Sequence, residues 1–281
     1  MQNRVIAIQS DFGTADGRAA KLIGTIKRTD ASLDVCMSEN SCPRGNAVLA
    51  STLLYSSLPF FPAGTIYVSI VERADSENTP CAALTFDDKI ILTPDNGTLT
   101  VWIHRYGIKA IRALPVEDCP KDMNPYAFFA AQLAGGAVSY EALGEAYPVS
   151  EANTFAMYPP KIAPGSVTCG IFSILENFGN LNLTVSVEEF EQSGIQAGER
   201  VHITIERNGT YLFDDTIPYD RSFGFAELGA PILFNGSTGY LGLGMNQSSF
   251  AGTYLQDRFD HAGAIAEYRV NIRKQAQPSQ S

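Results

Sequence analysis

The sequence predicts an α/β N-terminal domain with a largely parallel sheet, plus a small C-terminal β-barrel domain. Three observations carry this. Apolar, β-branched runs alternate with helical patterns up to about Tyr147, which is the grammar of a helix-covered parallel sheet. Composition then changes at Pro148, with Pro159, Pro160 and Pro164 following in a stretch of little periodicity. Beyond it come short strands separated by turn residues such as Asn208-Gly209 and Asn235-Gly236, the spacing of a barrel or sandwich. The boundaries expected are residues 1–147 for the first domain, 148–165 for a linker, 166–273 for the barrel and 274–281 for a polar, disordered tail. A chain of 281 residues suits one large or two medium domains, at roughly 100–200 residues each.

The elements follow in order. Val5, Ile6 and Ile8 form a buried strand that stops at Ser10-Asp11-Phe12-Gly13. Residues 17–29 read as a helix with Ala20, Ile23 and Ile26 on one face. A short strand at 33–37, a polar loop at 38–46 and a helix at 47–57 come next. Phe60 to Thr65 turns into the strongest strand, Thr65 to Val71, which ends in Glu72 and Arg73. A hairpin is expected around Asp87-Asp88, from 82–86 to 89–92. Pro94-Asp95-Asn96-Gly97 is a tight turn before the apolar run 99–103, and 109–114 is another strand. Residues 125–136 form a helix ended by Gly135-Gly136. In the second half strands are expected at 167–175, 181–185, 200–206, 211–213, 231–235, 240–244 and 265–272.

Composition narrows the function classes. The net charge of −10 argues against nucleic acid or an anionic membrane surface as partner. No apolar run reaches the roughly 20 residues of a membrane span, and no basic-then-apolar leader is visible. Five scattered cysteines without a C-x-x-C pair indicate reduced thiols and a cytoplasmic protein. His104, His202 and His261 lie far apart, so no metal site is expected. There is no G-x-G-x-x-G after the first strand, no G-x-x-x-x-G-K and no G-x-S-x-G.

What remains is polar residues at strand ends. In open α/β sheets ligands bind outside the carboxyl ends of the strands. Asp11 and Asp16 stand there and can accept hydrogen bonds from a vicinal diol such as a ribose; equally, they can cap the next helix. Glu72 with Arg73, and Asp95 with Asn96, end later strands. The second half offers Glu176 to Asn180, Asn235 to Gly239, Asn246 and Gln247. Amides, hydroxyls and the Phe178 ring suit a flat heterocycle, which stacks while amides read its edge. Asn96, Asn177 and Asn235 also suit ordinary turns.

Five segments carry a resemblance: S-D-F-G-T-A-D at 10–16, F-F-P-A-G-T-I at 60–66, P-D-N-G-T-L at 94–99, E-N-F-G-N at 176–180 and N-G-S-T-G-Y-L…M-N-Q at 235–247. In this order and spacing the chain resembles the S-adenosylmethionine (SAM) hydroxide adenosyltransferases, or SAM hydrolases, and their fluorinating and chlorinating relatives. The resemblance implies an α/β domain joined to a small barrel, a homotrimer or a hexamer built from it, and SAM bound between the first domain of one subunit and the barrel of the next. Asp11 matches an Asp that grips the ribose hydroxyls, and Asp16 one near the methionine amino group. Asn180 matches an Asn that reads the adenine edge. Glu176 falls near a carboxylate that holds the methionine ammonium. Ser237 matches a Ser on the methionine carboxylate, Thr238 stands where relatives carry a basic residue, and the backbone of Gln247 matches a position facing adenine.

The reaction implied is attack of water or hydroxide at the 5′ carbon of SAM, giving adenosine and L-methionine, with no cofactor and no metal. Glu72 stands where hydrolase relatives place an Asp and halogenating relatives a Tyr. A carboxylate repels a halide and can orient or deprotonate water. Thr79 falls on or near the position of the hydrolases' Arg, and the segment 119–125 lacks their His, leaving Asp122 as the nearby candidate to assist Glu72. Arg44-Gly45 replaces an aromatic that packs on the ribose. Two other readings stay open: a halide-using adenosyl transferase, and a catalytically weak SAM- or adenosine-binding protein.

Overall fold

The computed structural model describes residues 5–15, 17–72, 77–175, 178–255 and 267–275. Asp16, Arg73 and Glu176 therefore lie outside the described residues, as do residues 276–281 of the expected tail. The chain divides into two compact units, Met1–Phe155 and Ala156–Ser281. The partition falls inside the stretch 148–165, which carries a 3-10 turn at Val149–Glu151 and a short strand at Lys161–Ala163.

Unit 1 is built on seven strands: β1 Ile6–Ser10, β2 Val35–Glu39, β3 Ile66–Ile70, β4 Pro80–Leu84, β5 Ile90–Pro94, β6 Ala110–Ala113 and β7 Ala146–Tyr147. Their order is β2-β1-β3-β5-β4-β6-β7. The sheet is mixed. Pairings β1–β2, β1–β3 and β3–β5 are parallel, whereas β4–β5, β4–β6 and β6–β7 are antiparallel. The expectation of a largely parallel sheet thus holds for one half only. The physical reason is the short link from β4 to β5, since a tight hairpin can join only antiparallel neighbours.

All five residues of β1 and of β3 are buried, because helices cover both sheet faces. Alternate side chains serve opposite cores. Ile6, Ile8, Ile66 and Val68 pack with Leu22 and Ile26 of α1 (Arg18–Thr29) and with Ala127 and Ala130 of α4 (Pro125–Gly135). Ala7 and Tyr67 face the other way, toward Leu54 of α2 (Ala47–Ser57) and Trp102 of α3 (Thr100–Tyr106). α3 occupies the apolar run 99–103. Asn46 and Asn124 cap α2 and α4, their side chains accepting from the amides of Leu49 and Ala127 at 3.0 and 3.2 Å.

Unit 2 holds β8 Lys161–Ala163, β9 Ser166–Cys169, β10 Ile171–Leu175, β11 Asn180–Ser186, β12 Arg200–Arg207, β13 Thr210–Asp220, β14 Pro231–Asn235, β15 Tyr240–Met245 and β16 Tyr268–Lys274. They form one sheet in the order β10-β11-β15-β14-β13-β12-β16-β9-β8. β9 continues into β10 through Gly170, whose carbonyl accepts the Thr184 amide at 2.9 Å, so the sheet curls back toward its own start as a half-barrel, the outline of the small β-barrel expected. β13 holds the two halves together, pairing with β12 along its length and in parallel with β14 at Tyr219 and Asp220. The short helix α5 (Val187–Glu191) starts on a reciprocal cap, Ser186 with Glu189. Among the described residues no helix is long and apolar enough to cross a membrane.

Candidate functional site

In unit 1 the polar residues gather where the parallel strands end. Asp11 follows β1, its amide donating to Ile70 O at 3.3 Å. Its carboxylate accepts the Gly45 amide at 2.8 Å, so the acidic turn is tied to the polar loop 38–46. Three further bonds close this rim. Ser10 Oγ donates to Asn40 Oδ1 at 2.6 Å, Asn40 Nδ2 to Gly13 O at 2.7 Å, and the Gly13 amide to Asn40 O at 3.0 Å. Glu39 accepts from the Ser41 hydroxyl and from the Ser41 and Asn40 amides, and the Ser41 hydroxyl does most to hold its carboxyl below the usual range.

The neighbouring strand end is fixed in the same manner. Asn96 Nδ2 donates to Val71 O at 2.8 Å while its Oδ1 accepts from the Thr98 amide and hydroxyl. Asn96 thus does the structural work expected of a turn asparagine. It also anchors the backbone immediately before Glu72, whose Oε1 accepts Asn78 Nδ2 at 3.0 Å. Asp95 is 6% exposed and accepts from the Asn153 amide at 2.9 Å and the Tyr147 hydroxyl at 3.3 Å. Burial nevertheless pushes its carboxyl up.

Asp122 is engaged elsewhere. Its carboxylate pairs with Arg28 of α1 at 2.5 Å, and both side chains are more than 60% exposed. The pair borders a cleft of about 390 Å³ that also holds Phe12, with Arg18 stacked 4.9 Å above its ring. This engagement bears against the expectation that Asp122 handles water beside Glu72, because an exposed carboxylate held by a guanidinium makes a poor base.

Unit 2 contains a pocket of about 720 Å³. Among the residues lining it are the candidates Phe178, Asn180, Asn235, Ser237, Thr238 and Gln247, whereas Asn246, also a candidate, donates to Ala226 O at 2.8 Å and is not in the lining. The lining candidates come from three separate segments: the turn into β11, the turn between β14 and β15, and the turn after β15. Asn180 Oδ1 is buried and has no hydrogen-bond partner among the described residues. Its side chain lies over Gly244, where a Cβ would come within 2.2 Å of Oδ1, so only glycine leaves room for it. Phe178 is 67% exposed, an aromatic face open at the rim. Asn235 Oδ1, by contrast, accepts the Tyr219 hydroxyl at 2.9 Å. The pocket also holds residues that the sequence reading missed. Ser222 and Phe223 lie in a motif-free stretch and line the same wall, with Phe223 edge-on to Phe234 at 5.8 Å. Among the described residues no group of three or more His, Cys, Asp or Glu could hold a metal ion.

The fold is thus a two-unit one, an α/β unit with polar strand ends followed by a β unit with an amide- and aromatic-lined pocket, and sequence comparison places it in a family. The SAM hydroxide adenosyltransferase N-terminal domain matches residues 6–144 and its C-terminal domain residues 172–261. The chain belongs to this family. It is 25% identical over 285 residues to a fluorinase of Actinoplanes sp. (strain N902-109), covering 90% of this chain and 94% of that protein. It is also 25% identical over 262 residues to the (R)-S-adenosyl-L-methionine hydrolase of Thermus thermophilus, covering 88% and 93%. The same fold occurs in an uncharacterized conserved protein from Thermotoga maritima, at a TM-score of 0.78 and 19% identity over 96% of this chain and all of that one. A conserved hypothetical protein from Thermus thermophilus shares it at 0.73 and 22%, over 96% and 99%.

Proposed function

We propose that this protein hydrolyses SAM to adenosine and L-methionine, by attack of water at the 5′ carbon. The observation that carries the reading is the unit 2 pocket, where Phe178, Asn180, Ser237, Thr238 and Gln247 converge although up to 69 residues separate them in sequence. An exposed ring for stacking, an amide for a base edge and hydroxyls for a carboxylate are the groups an adenosyl-methionine ligand calls for. Asp11 then holds the ribose diol, with its second acceptor sites available beyond the Gly45 amide. Asp16 and Glu176 are assigned to the methionine ammonium on the resemblance alone.

The chemistry asks little of the protein. A sulfonium is a good leaving group, so alignment and exclusion of bulk water supply most of the acceleration. The water oxygen forms a bond to C5′, the C5′–S bond breaks, and its electron pair returns to sulfur as the methionine thioether. Glu72 accepts the proton that the water loses and passes it to solvent. We propose further that the site is completed by a neighbouring copy in a homotrimer, which sedimentation of the purified protein checks.

The fluorinase relatives favour a second reading, transfer of the adenosyl group to a halide. Glu72 weighs against it, since its negative charge would stand where an anion must arrive. Incubation of the purified protein with SAM, with and without chloride, decides among the readings. Adenosine and methionine support hydrolysis. A 5′-halo nucleoside would overturn it in favour of the halide reaction. Bound but unchanged SAM would leave a binding protein.

A further inference from the structure

Asp95 follows β5 in a tight turn, where an Asp ordinarily bonds the backbone two residues on. Here Asn96 does that work, its Oδ1 accepting from the Thr98 amide and hydroxyl. The Asp95 carboxylate reaches instead to the last segment of unit 1. One oxygen accepts the Asn153 amide at 2.9 Å, 58 residues away, and the other the Tyr147 hydroxyl at 3.3 Å, 52 residues away. Asn153 Nδ2 returns a bond to Asp95 O at 2.8 Å, and the Phe155 amide donates to Thr100 Oγ1 at 3.1 Å. The segment where the chain passes toward unit 2 is thus clipped to this turn.

The same turn grips the chain on both sides of Glu72. The Asp95 amide donates to Thr79 O at 2.9 Å, and Asn78, next to Thr79, holds Glu72 Oε1 at 3.0 Å. Asn96 Nδ2 donates to Val71 O at 2.8 Å, one residue before Glu72. Residues 95 and 96 therefore fix both the backbone from which Glu72 projects and the residue that holds its carboxylate. A turn needs no buried carboxylate, and burying one to 6% exposure is costly. The two donors that face it explain the choice, since a carboxylate accepts at both oxygens and an amide in its place could not accept both.

We propose that Asp95 is a positioning residue for the reaction: by tying its turn to Tyr147 and Asn153, it holds Glu72 in the orientation that takes the proton from the attacking water. This rests on the hydrolase reading above. No bond forms or breaks at Asp95; it acts through Asn78, Thr79 and the Val71 carbonyl.

Asp95→Asn keeps the size of the side chain and one acceptor. The expected result is a kcat for adenosine release lower by about 10–100-fold, with KM for SAM within about twofold of the parent. Tyr147→Phe leaves the carboxylate in place and removes one bond, so the same split should appear at about threefold in kcat. A raised KM with kcat unchanged in either variant would overturn the inference. In a Glu72→Gln background Asp95→Asn should cost nothing further, because no base is left to orient. A merely structural role would lower turnover equally in both backgrounds, and that result would also overturn it. Hydrogen exchange gives a readout independent of activity. In Asp95→Asn the amides at positions 95 and 153 should both exchange faster than in the parent. Acceleration at 153 alone would show that the carboxylate holds the exit segment and not the turn beside Glu72. Should the parent release no adenosine, the hydrolase reading falls and the role in catalysis with it, while exchange at position 95 still decides whether the clamp holds the turn.

Discussion

The polar residues of the two units are prepared differently. In unit 1 the strand-end carboxylates already have protein partners: Asp11 the Gly45 amide, Glu39 the Ser41 hydroxyl, Glu72 the Asn78 amide and Asp95 the Asn153 amide. In unit 2, Asn180 Oδ1 is buried over Gly244 with no hydrogen-bond partner among the described residues, and Phe178 is left open. A carboxylate already held by protein donors is pre-oriented, so little is lost in ordering it when a ligand arrives. An unmet buried amide is the opposite arrangement: it destabilises the unliganded protein and is relieved by a ligand that satisfies it. Under the proposed function, this contrast would place alignment and chemistry in the first unit and recognition of the base in the second.

The largest effect should come from the chemical residue of unit 1. Glu72→Gln keeps the shape and the Asn78 contact but removes the base, so adenosine formation should fall by about 10²–10⁴-fold. Nucleoside affinity should hold. Turnover equal to the parent would remove Glu72 from the mechanism. Asp11→Ala comes next. It deletes charge-assisted hydrogen bonds worth about 1.5–3 kcal/mol each, so adenosine affinity measured by calorimetry should drop by about 10²-fold or beyond detection. Undiminished affinity would reject the ribose role. In unit 2, Asn180→Ala should weaken adenosine by about tenfold while leaving the melting temperature of the unliganded protein unchanged or raised, since Oδ1 makes no bond that is lost. A clear drop in melting temperature would mean that the amide serves the fold instead.

How much of this was legible in the sequence follows from how local each signal is. The strand of Ile6 and Ile8 reads as buried because helix-covered strands are continuously apolar, and Asn46 and Asn124 announce the helices they cap. Strand direction is not local. β6 reads as a strand, yet that it joins β4 antiparallel is decided some 30 residues away. β13 was expected only at 211–213; Asp214 and Asp215 conceal a strand that runs to Asp220. In the same way Phe178, Asn180 and Ser237 stood out as turn residues in recognisable segments. Phe223 lines the pocket from a stretch without a motif, edge-on to Phe234, and no local signal marks it. The partner of Asp122 lies 94 residues upstream, beyond any spacing argument.

That pair offers the smallest expected effect and the sharpest check on where unit 1 does its chemistry. Asp122→Asn breaks the bond to Arg28 at a site where both side chains face solvent. Exposed ion pairs of this kind often contribute nothing measurable to stability, because water and salt screen them. Arg28 holds the Asp122 carboxyl below its usual range, mainly through the hydrogen bond, so the group is ionised at working pH and weakly basic. The variant should therefore keep kcat within about twofold, against the losses of two or more orders expected for Glu72→Gln. A comparable loss in Asp122→Asn would place both carboxylates on the reacting water and make the Arg28 pair a resting state that opens when SAM binds. Repeating the measurement in Arg28→Gln separates the cases. Release of Asp122 would then leave turnover untouched if the pair is structural, and would raise it if Arg28 restrains a second base.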